Sequence, residues 1–416
     1  MSEAQDGLPP GRRRWAIITQ AMVIALSVLD GSIANIALPS IAHDLNVTAA
    51  DSIWVVNAYQ IAVTISLLPL ASLGDIYGYR HVYRWGLVLF LIGSAACGLS
   101  TSLPMLAVSR LMQGVGAAGM MGVNTALVRF IYPRDQLGRG IGMVSLVVAV
   151  SAAAGPTLAA GILSFGPWPW LFFINLPIGV VALAMVGTMP VTPKAAHRFD
   201  LRSAALNAAT FGLLIAALDG FGHGGQVVAG VGLLMAGLAV GFVFVRSQMA
   251  VAAPILPVDL FRLRAFGLSV LTSVCAFIAA SMTMVSLPFL FEARGFSTLE
   301  TGLLITPWPV MSSVMAPIAG RLSDKVKAGK LGGIGLLIMA VGLVSAAAVP
   351  IGASFANVAW RLALCGGGFA LFQAPNNRLL ITSAPPERSG AASGMLSTAR
   401  LLGQTTGAAL VALAFG

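Results

Sequence analysis

The sequence predicts an all-α polytopic membrane protein built from two pseudo-symmetric helical bundles, and three observations carry that prediction. First, 57% of its 416 residues are hydrophobic and only 9% are charged. Soluble domains carry roughly 25% charged residues, so this chain has too few polar groups to cover its own surface in water. Second, apolar stretches long enough to span recur thirteen times, given that about 20 residues cross the hydrocarbon core. Third, the chain repeats itself. PRDQLGRGIGMVS at 133–145 returns as PPERSGAASGMLS at 385–397, Arg110-Leu111 returns as Arg361-Leu362, and SLGD at 72–75 returns as RLSD at 321–324. Echoes sharing an offset of about 250 residues mark an internal duplication. Duplicated helical halves, with the substrate site between them, are how secondary transporters are built.

The spans run roughly 15–37, 52–72, 85–102, 104–124, 140–163, 171–190, 203–221, 227–245, 266–290, 301–319, 332–350, 357–380 and 392–416. They divide the chain into a cytoplasmic tail (1–14), a six-helix bundle (15–190), two inserted helices with their linkers (191–264) and a second bundle (265–416) with five of six helices. The inserted pair has no counterpart in either unit and is followed by PILPVDLFRLRAF, a Pro- and Arg-bearing interfacial linker. By the repeat, the sixth span of the second unit falls at roughly 421–441, beyond Gly416, so the sequence is expected to stop one helix short.

Charge placement sets the topology. With the N-terminus inside, the tail and alternate loops hold twenty of the 24 basic residues, whereas the outside loops hold Arg294 alone. That is the positive-inside pattern. The net charge of +10 therefore reports orientation in an inner (cytoplasmic) membrane and not nucleic-acid binding. Cys97, Cys275 and Cys365 are scattered through apolar spans, and the four histidines lie in different loops, so no disulfide framework and no metal site is read. The chain carries no GxxxxGK[ST] phosphate loop. No cofactor is expected, and the energy source is expected to be a proton gradient. No acid, His and Ser converge in one segment, so an enzyme is not indicated.

Five segments carry a family resemblance. LDGSIANIALP (29–39), ASLGDIYGYRHVYR (71–84), LAVSRLMQGVGAAG (106–119), SAAAGPTLAAG (151–161) and WPWLFFINLPIG (168–179) occur in order and at matching depths. Together they resemble the major facilitator superfamily, and within it the fourteen-helix drug:proton antiporters. The segment at 71–84 has Ala71 where Gly is usual. The resemblance covers nearly the whole chain, and the two unmatched spans sit where that family inserts its extra pair. It implies a proton-coupled exporter of cationic or amphipathic drugs, with the 71–84 motif locking a cytoplasmic gate.

Asp30 is the sharpest single residue. An Asp at a helix centre costs about 2.5–3.5 kcal/mol on insertion scales, and packing alone gives a helix no reason to carry that cost. Desolvation favours the neutral acid, so such a carboxyl can load and release a proton. Arg110 lies at a similar depth and is expected to pair with it, making a charge switch for proton coupling. The alternatives are a structural hydrogen bond for Asp30 and snorkelling for Arg110. Asp75, Gly78 and Arg80 are placed in the loop after the second span, and Arg321 and Asp324 in the related loop of the second half. These five are candidates for a cytoplasmic gate in which an Asp caps a helix or pairs across the halves. Gly155-Pro156, the antiporter-motif pair by resemblance, puts a kink mid-membrane among small residues that let helices approach closely. Asn57, Gln60, Gln113, Trp308, Phe372, Asn376 and Asn377 are candidate walls of a substrate cavity, each with helix packing as the alternative role. Asp219 reads as a solvated helix cap. Arg361 and Arg400 face no acidic match to Asp30 in the second unit's first helix, so the coupling chemistry is expected in the first half.

The leading functional expectation is alternating-access export of small amphipathic or cationic compounds, multidrug efflux, driven by protons. The expected partners are the small-molecule substrate, protons and the lipid bilayer, with no nucleic acid and a monomer as the working unit. The alternatives are a narrow-specificity exporter of a metabolite or antibiotic, an uptake symporter, which the Gly-Pro motif opposes, and a transport-inactive membrane sensor or scaffold.

Overall fold

α1 (Pro10–Asp44) begins on a proline at its first position, where the missing N–H costs nothing. Its 35 residues reach about 52 Å at 1.5 Å per residue, so the helix projects beyond both edges of the apolar stretch that the sequence marks at 15–37. The computed structural model describes residues 7–133, 136–192, 194, 199–222, 227–249, 258–323, 326–350, 352–383 and 389–415. After a turn at Asn46, α2 (Ala49–Ser52) is capped by Thr48, whose hydroxyl accepts from the Asp51 amide at 3.1 Å. α3 (Trp54–Tyr77) and α4 (Tyr79–Gly98) are separated by Gly78 alone. Its φ of +93° requires glycine.

That one-residue junction corrects the loop expected after the second span. Asp75 lies in the last turn of α3, and Arg80 and Arg84 lie in the first turns of α4.

α5 (Leu103–Ile131) and α6 (Leu137–Phe165) follow, then α7 (Trp170–Phe173) and α8 (Asn175–Met185), which make one broken rod. The inserted pair is α9 (Leu201–Gly222) and α10 (Val227–Met249). The second unit contains α11 (Arg264–Ala293), α12 (Thr298–Ile305), α13 (Pro307–Leu322), α14 (Ala328–Ala347), α15 (Phe355–Ser383) and α16 (Ser389–Phe415). α12 opens with a reciprocal cap between Ser297 and Glu300 and breaks from α13 at Thr306, ahead of Pro307. Nine of these rods are, among the described residues, long and apolar enough to cross a membrane by length and composition. The other four predicted spans are helices as well, at Tyr79–Gly98, Leu103–Ile131, Leu201–Gly222 and Ser389–Phe415.

The duplication is visible in how helices touch. A Cβ on Gly116 of α5 would meet the Phe90 amide nitrogen at 2.4 Å and the Gly86 carbonyl at 2.7 Å; one on Gly368 of α15 would meet Met339 N at 2.4 Å and the Gly335 carbonyl at 2.8 Å. Gly114 likewise approaches the Tyr59 carbonyl of α3, as Gly366 approaches that of Trp308 on α13. The same small residues thus bring the same helices together in both units.

The apolar cores are unevenly shared. On the face opposite the N-terminus, here called distal, one core mixes Ile36, Leu38, Ile41 and Trp168 of the first unit with Phe291, Leu304, Ile305 and Val411 of the second. Toward the N-terminal face the cores separate. The first unit keeps Tyr83, Leu127, Ile131 and Met189, while the second keeps Leu260, Phe266 and Leu380 in one cluster and Ala319, Leu331 and Leu371 in another. The large shared core thus lies on the distal side, while on the other side the apolar clusters stay within one unit except where Leu401 of α16 joins the first. The inserted pair lies along one seam, with α9 in contact with both α3 and α16. The Asn207 side-chain amide donates to the Ile65 carbonyl of α3 at 3.0 Å, and Gln248 of α10 donates to the Ser203 hydroxyl at 2.8 Å.

Candidate functional site: a buried ion pair in the first bundle

Close helix approach builds this site. Gly93 lets α4 come within a would-be 2.7 Å of Gln113 on α5, and Gly114 lets α5 approach α3 at the Tyr59 carbonyl. Side chains from α1, α3, α4, α5 and α8 then converge. Asp30 and Arg110 are both sealed, 2% and 1% exposed, and the Arg110 guanidinium donates to Asp30 Oδ2 at 2.6 Å. Asp30 Oδ1 accepts from Gln113 Nε2 at 2.7 Å and from Asn175 Nδ2 at 3.0 Å. Arg110 also donates to Gln113 Oε1 at 2.6 Å and, through Nε, to the Val55 carbonyl at 2.9 Å. The Ser94 hydroxyl accepts from Gln113 at 2.8 Å and from Asn175 at 3.3 Å. The guanidinium lies 4.2 Å from the Tyr59 ring centroid and 5.6 Å from that of Phe172, so its faces are covered by aromatics.

Both carboxylate oxygens are occupied by donors, one a charged guanidinium and two of them side-chain amides. Adding a proton there would discharge the pair and leave Arg110 with Gln113, Val55 and Tyr59. The sequence singled out Asp30 and Arg110 and placed Gln113 on a cavity wall. The structure instead bonds Gln113 to both members of the pair. It also adds Ser94, Asn175 and Tyr59, which sequence reading passed over. The available signal was Asn175, a polar residue in the apolar run LFFINLPIG.

Gly155 of α6 packs on α1, where a Cβ would lie 2.5 Å from Ser32 Cβ, two residues from Asp30. On the other side of α6, Gly302 of α12 approaches so closely that a Cβ would lie 2.7 Å from the Pro156 carbonyl and 2.4 Å from Ala160 Cβ. Thr157 and Thr306 share a hydrogen bond at 2.8 Å across the same contact. Gly155-Pro156 thus sits between the helix that carries Asp30 and the distal closure between the units.

The gate candidates are apart. Asp75 accepts from the Tyr79 hydroxyl at 2.5 Å within the first unit, and the Thr192 hydroxyl, in the linker just after that unit, accepts from the Tyr79 amide at 3.0 Å. Arg80 is half-buried beside Gly187, and Arg321 is exposed at the end of α13. Asp324 and the Asp219 side chain lie outside the described residues.

Of the cavity candidates, Trp308 and Phe372 are buried in the large shared core, and the backbone amide of Phe372 faces Gly335 of α14. Asn376 is buried and donates to the Ser269 carbonyl and the Ser273 hydroxyl, tying α15 to α11. Asn57, Gln60 and Asn377 each keep a sealed side-chain oxygen without a hydrogen-bond partner. Buried polar atoms are normally satisfied, so these three are the candidates with hydrogen-bonding capacity in reserve.

The comparisons agree with this architecture. The model of the Major Facilitator Superfamily matches residues 21–408. The chain is 56% identical over 412 residues to the uncharacterized transporter YebQ of Escherichia coli (strain K12), covering 98% of this chain and 90% of that protein. It is 30% identical to the multidrug resistance protein Stp of Mycobacterium tuberculosis (strain CDC 1551 / Oshkosh), covering 95% and 74%. Among solved structures, a D-xylose-proton symporter superposes with a TM-score of 0.70 at 15% identity, covering 96% of this chain and 90% of that one. With the duplicated bundles and the match running almost end to end, this polytopic membrane protein belongs to the Major Facilitator Superfamily of transporters.

Proposed function

We propose that the protein is a proton-coupled antiporter of the inner (cytoplasmic) membrane that exports small amphipathic compounds by alternating access, as a monomer with its N-terminus in the cytoplasm. The observation that carries this reading is the buried Asp30–Arg110 pair at 2.6 Å, held by Gln113 and Asn175. An intramembrane ion pair is expensive to keep and is retained where charge must move. Protonation of Asp30 releases Arg110, and the helices bearing them, α1 and α5, lose their strongest mutual tie. The likeness to Stp, a protein named for multidrug resistance, supports export and a broad substrate range. The superfamily needs no cofactor, and each proton entering is worth about 2.3 kcal/mol per 100 mV.

On this reading the distal face is periplasmic, and the apolar core shared there is what closes the periplasmic side. Asp75, Gly78 and Arg80, with Arg321 and Asp324 of the second unit, would close the cytoplasmic side in the opposite state. Asp75→Ala is then expected to cut turnover severalfold while leaving thermal stability nearly unchanged, because its partner Tyr79 lies in its own unit. Turnover equal to that of the unaltered protein would remove Asp75 from the gate.

The direct test uses everted vesicles with an imposed pH gradient, acid inside, to which cationic, neutral and anionic amphipaths are added one at a time. Collapse of the gradient by at least one compound, in vesicles with the protein and not in those without, is the expected result. A gradient untouched by the whole panel would refute broad export.

A further inference from the structure

Four arginines lie within the predicted spans; Arg378, at the end of its span, donates to the Ser323 hydroxyl at 3.3 Å, and two of the three deeper ones are engaged. Arg110 is committed to Asp30. Arg361 donates through Nε to Asn357 Oδ1 at 3.0 Å, donates to the Ser345 carbonyl, and stacks on Trp360 at 5.1 Å. Arg400, the twelfth residue of α16, makes no hydrogen bond and no ion pair with the described residues, and its Nε is sealed. Its helix packs against α3 of the other unit and carries the adjacent Leu401 into the apolar cluster that holds Tyr59, whose hydroxyl is likewise sealed and unbonded.

The position is fixed by packing. Gly403 and Gly407 seat α16 against α11, where added Cβ atoms would come within 2.7 Å of Val274 O and 2.6 Å of Ile278 O. The adjacent Leu401 packs into the first unit's core. Arg400 is therefore pinned at the seam between the bundles, about 17 Å from the near end of its helix at 1.5 Å per residue, too deep for its side chain to snorkel out. A lysine there could shed its charge, but an arginine cannot. An uncompensated guanidinium at that depth is costly, and α3, packed against its helix, carries a second donor without an acceptor.

We propose that Arg400 and Tyr59 form an anion-binding subsite on the substrate path, and that the transported compounds are amphipathic organic anions of the carboxylate type. The inference rests on the exporter reading for its path and narrows that reading's substrates. It also sets aside cationic drugs, because Asp30, the deep acid of the first bundle, is already neutralised by Arg110. An anion at Arg400 does not compete with a proton on Asp30, so exchange of the two has to come from which closed state each ligand permits.

The test is equilibrium binding to the purified full-length protein in detergent, read by fluorescence anisotropy with 5-carboxyfluorescein as the anionic probe and rhodamine 6G as the cationic one. Saturable binding of the carboxylate dye is expected. Arg400→Gln should weaken it by about tenfold or more, the range for a hydrogen bond to a charged group. Arg400→Lys should stay within about threefold, since it keeps the point charge. Rhodamine 6G should bind Arg400→Gln at least as well as the unaltered protein. Tyr59→Phe, which removes one hydroxyl, should weaken carboxyfluorescein about threefold and supplies the reading if Arg400→Gln is not monodisperse. No saturable carboxyfluorescein binding, or binding indifferent to both substitutions, would overturn the proposal. The assay involves no proton gradient. Intact anion binding without proton movement in vesicles would count against the antiport reading alone, and proton movement driven only by cations would count against the anion subsite alone.

Discussion

Asp30→Asn is expected to abolish proton exchange and leave a folded protein. The substitution keeps shape and one carbonyl oxygen, so Arg110 retains an acceptor at the 2.6 Å position, while the new NH2 faces the Gln113 and Asn175 amides, which lose their bond to position 30 and keep those to Ser94. What it removes is the charge that a proton would cancel. Breaking one side of a buried ion pair costs about 3–5 kcal/mol, and the surviving hydrogen bond places this variant near the lower end. The double substitution Asp30→Asn with Arg110→Gln is expected to recover most of that stability, since neither charge is left alone, and to recover none of the exchange. Two measurements separate the roles: thermal unfolding of the purified variants, and substrate-driven proton movement in everted vesicles. Normal exchange in Asp30→Asn would remove this carboxylate from coupling, and the pair would then be a structural tie between α1 and α5.

The second large effect is expected from Gly302→Leu. The new side chain would have to occupy space held by the Pro156 carbonyl and by Ala160 Cβ. Neither is the end of a flexible side chain, so α12 must move off α6, breaking the Thr157–Thr306 hydrogen bond and opening the shared distal core. Transport should fall to background because the distal closure no longer forms. A cysteine placed at Leu304, 1% exposed in that core, should become labelled by an impermeant maleimide at least about tenfold faster. Gly161→Leu is the control. It lies on α6, next to Ala160, with nothing within 4 Å of its would-be Cβ and should leave both readouts unchanged. Slow labelling at position 304 with full transport would show that the α6–α12 contact yields without consequence.

The legible part of this molecule is the part dictated by solvent. Hydrocarbon thickness imposes runs of about 20 apolar residues, and all thirteen predicted spans are helices. Asp30 and Arg110 stood out because charge is costly in such a run, and the estimate of equal depth was enough to pair them. The chain-level pattern gave no access to rotation about each helix axis. Gln113 therefore went to a cavity wall when it bonds to both members of the pair, and Phe372 went to that wall when it lies in the apolar core. Glycines were the other blind spot. Gly93 and Gly302 look like ordinary small residues in an apolar run, and only the neighbouring backbone and side chains show that any Cβ would disrupt a contact. The loop at 75–80 misled for a local reason, since one glycine with φ of +93° makes the whole turn.

The inserted helices carry a consequence for where a greasy molecule can enter. A bundle with two-fold pseudosymmetry has two equivalent side doors to the bilayer, one along each seam. α9 covers one of them by touching both α3 and α16, and its Asn207 anchor to Ile65 fixes it to the first unit. On the alternating-access reading proposed above, α9 would ride with α3 and slide over α16, keeping that door shut through the cycle. On the proposed mechanism, compounds dissolved in the inner leaflet would be left with the opposite seam, where α6 meets α13, and the inserted pair would turn a symmetric machine into one with a single lateral entrance.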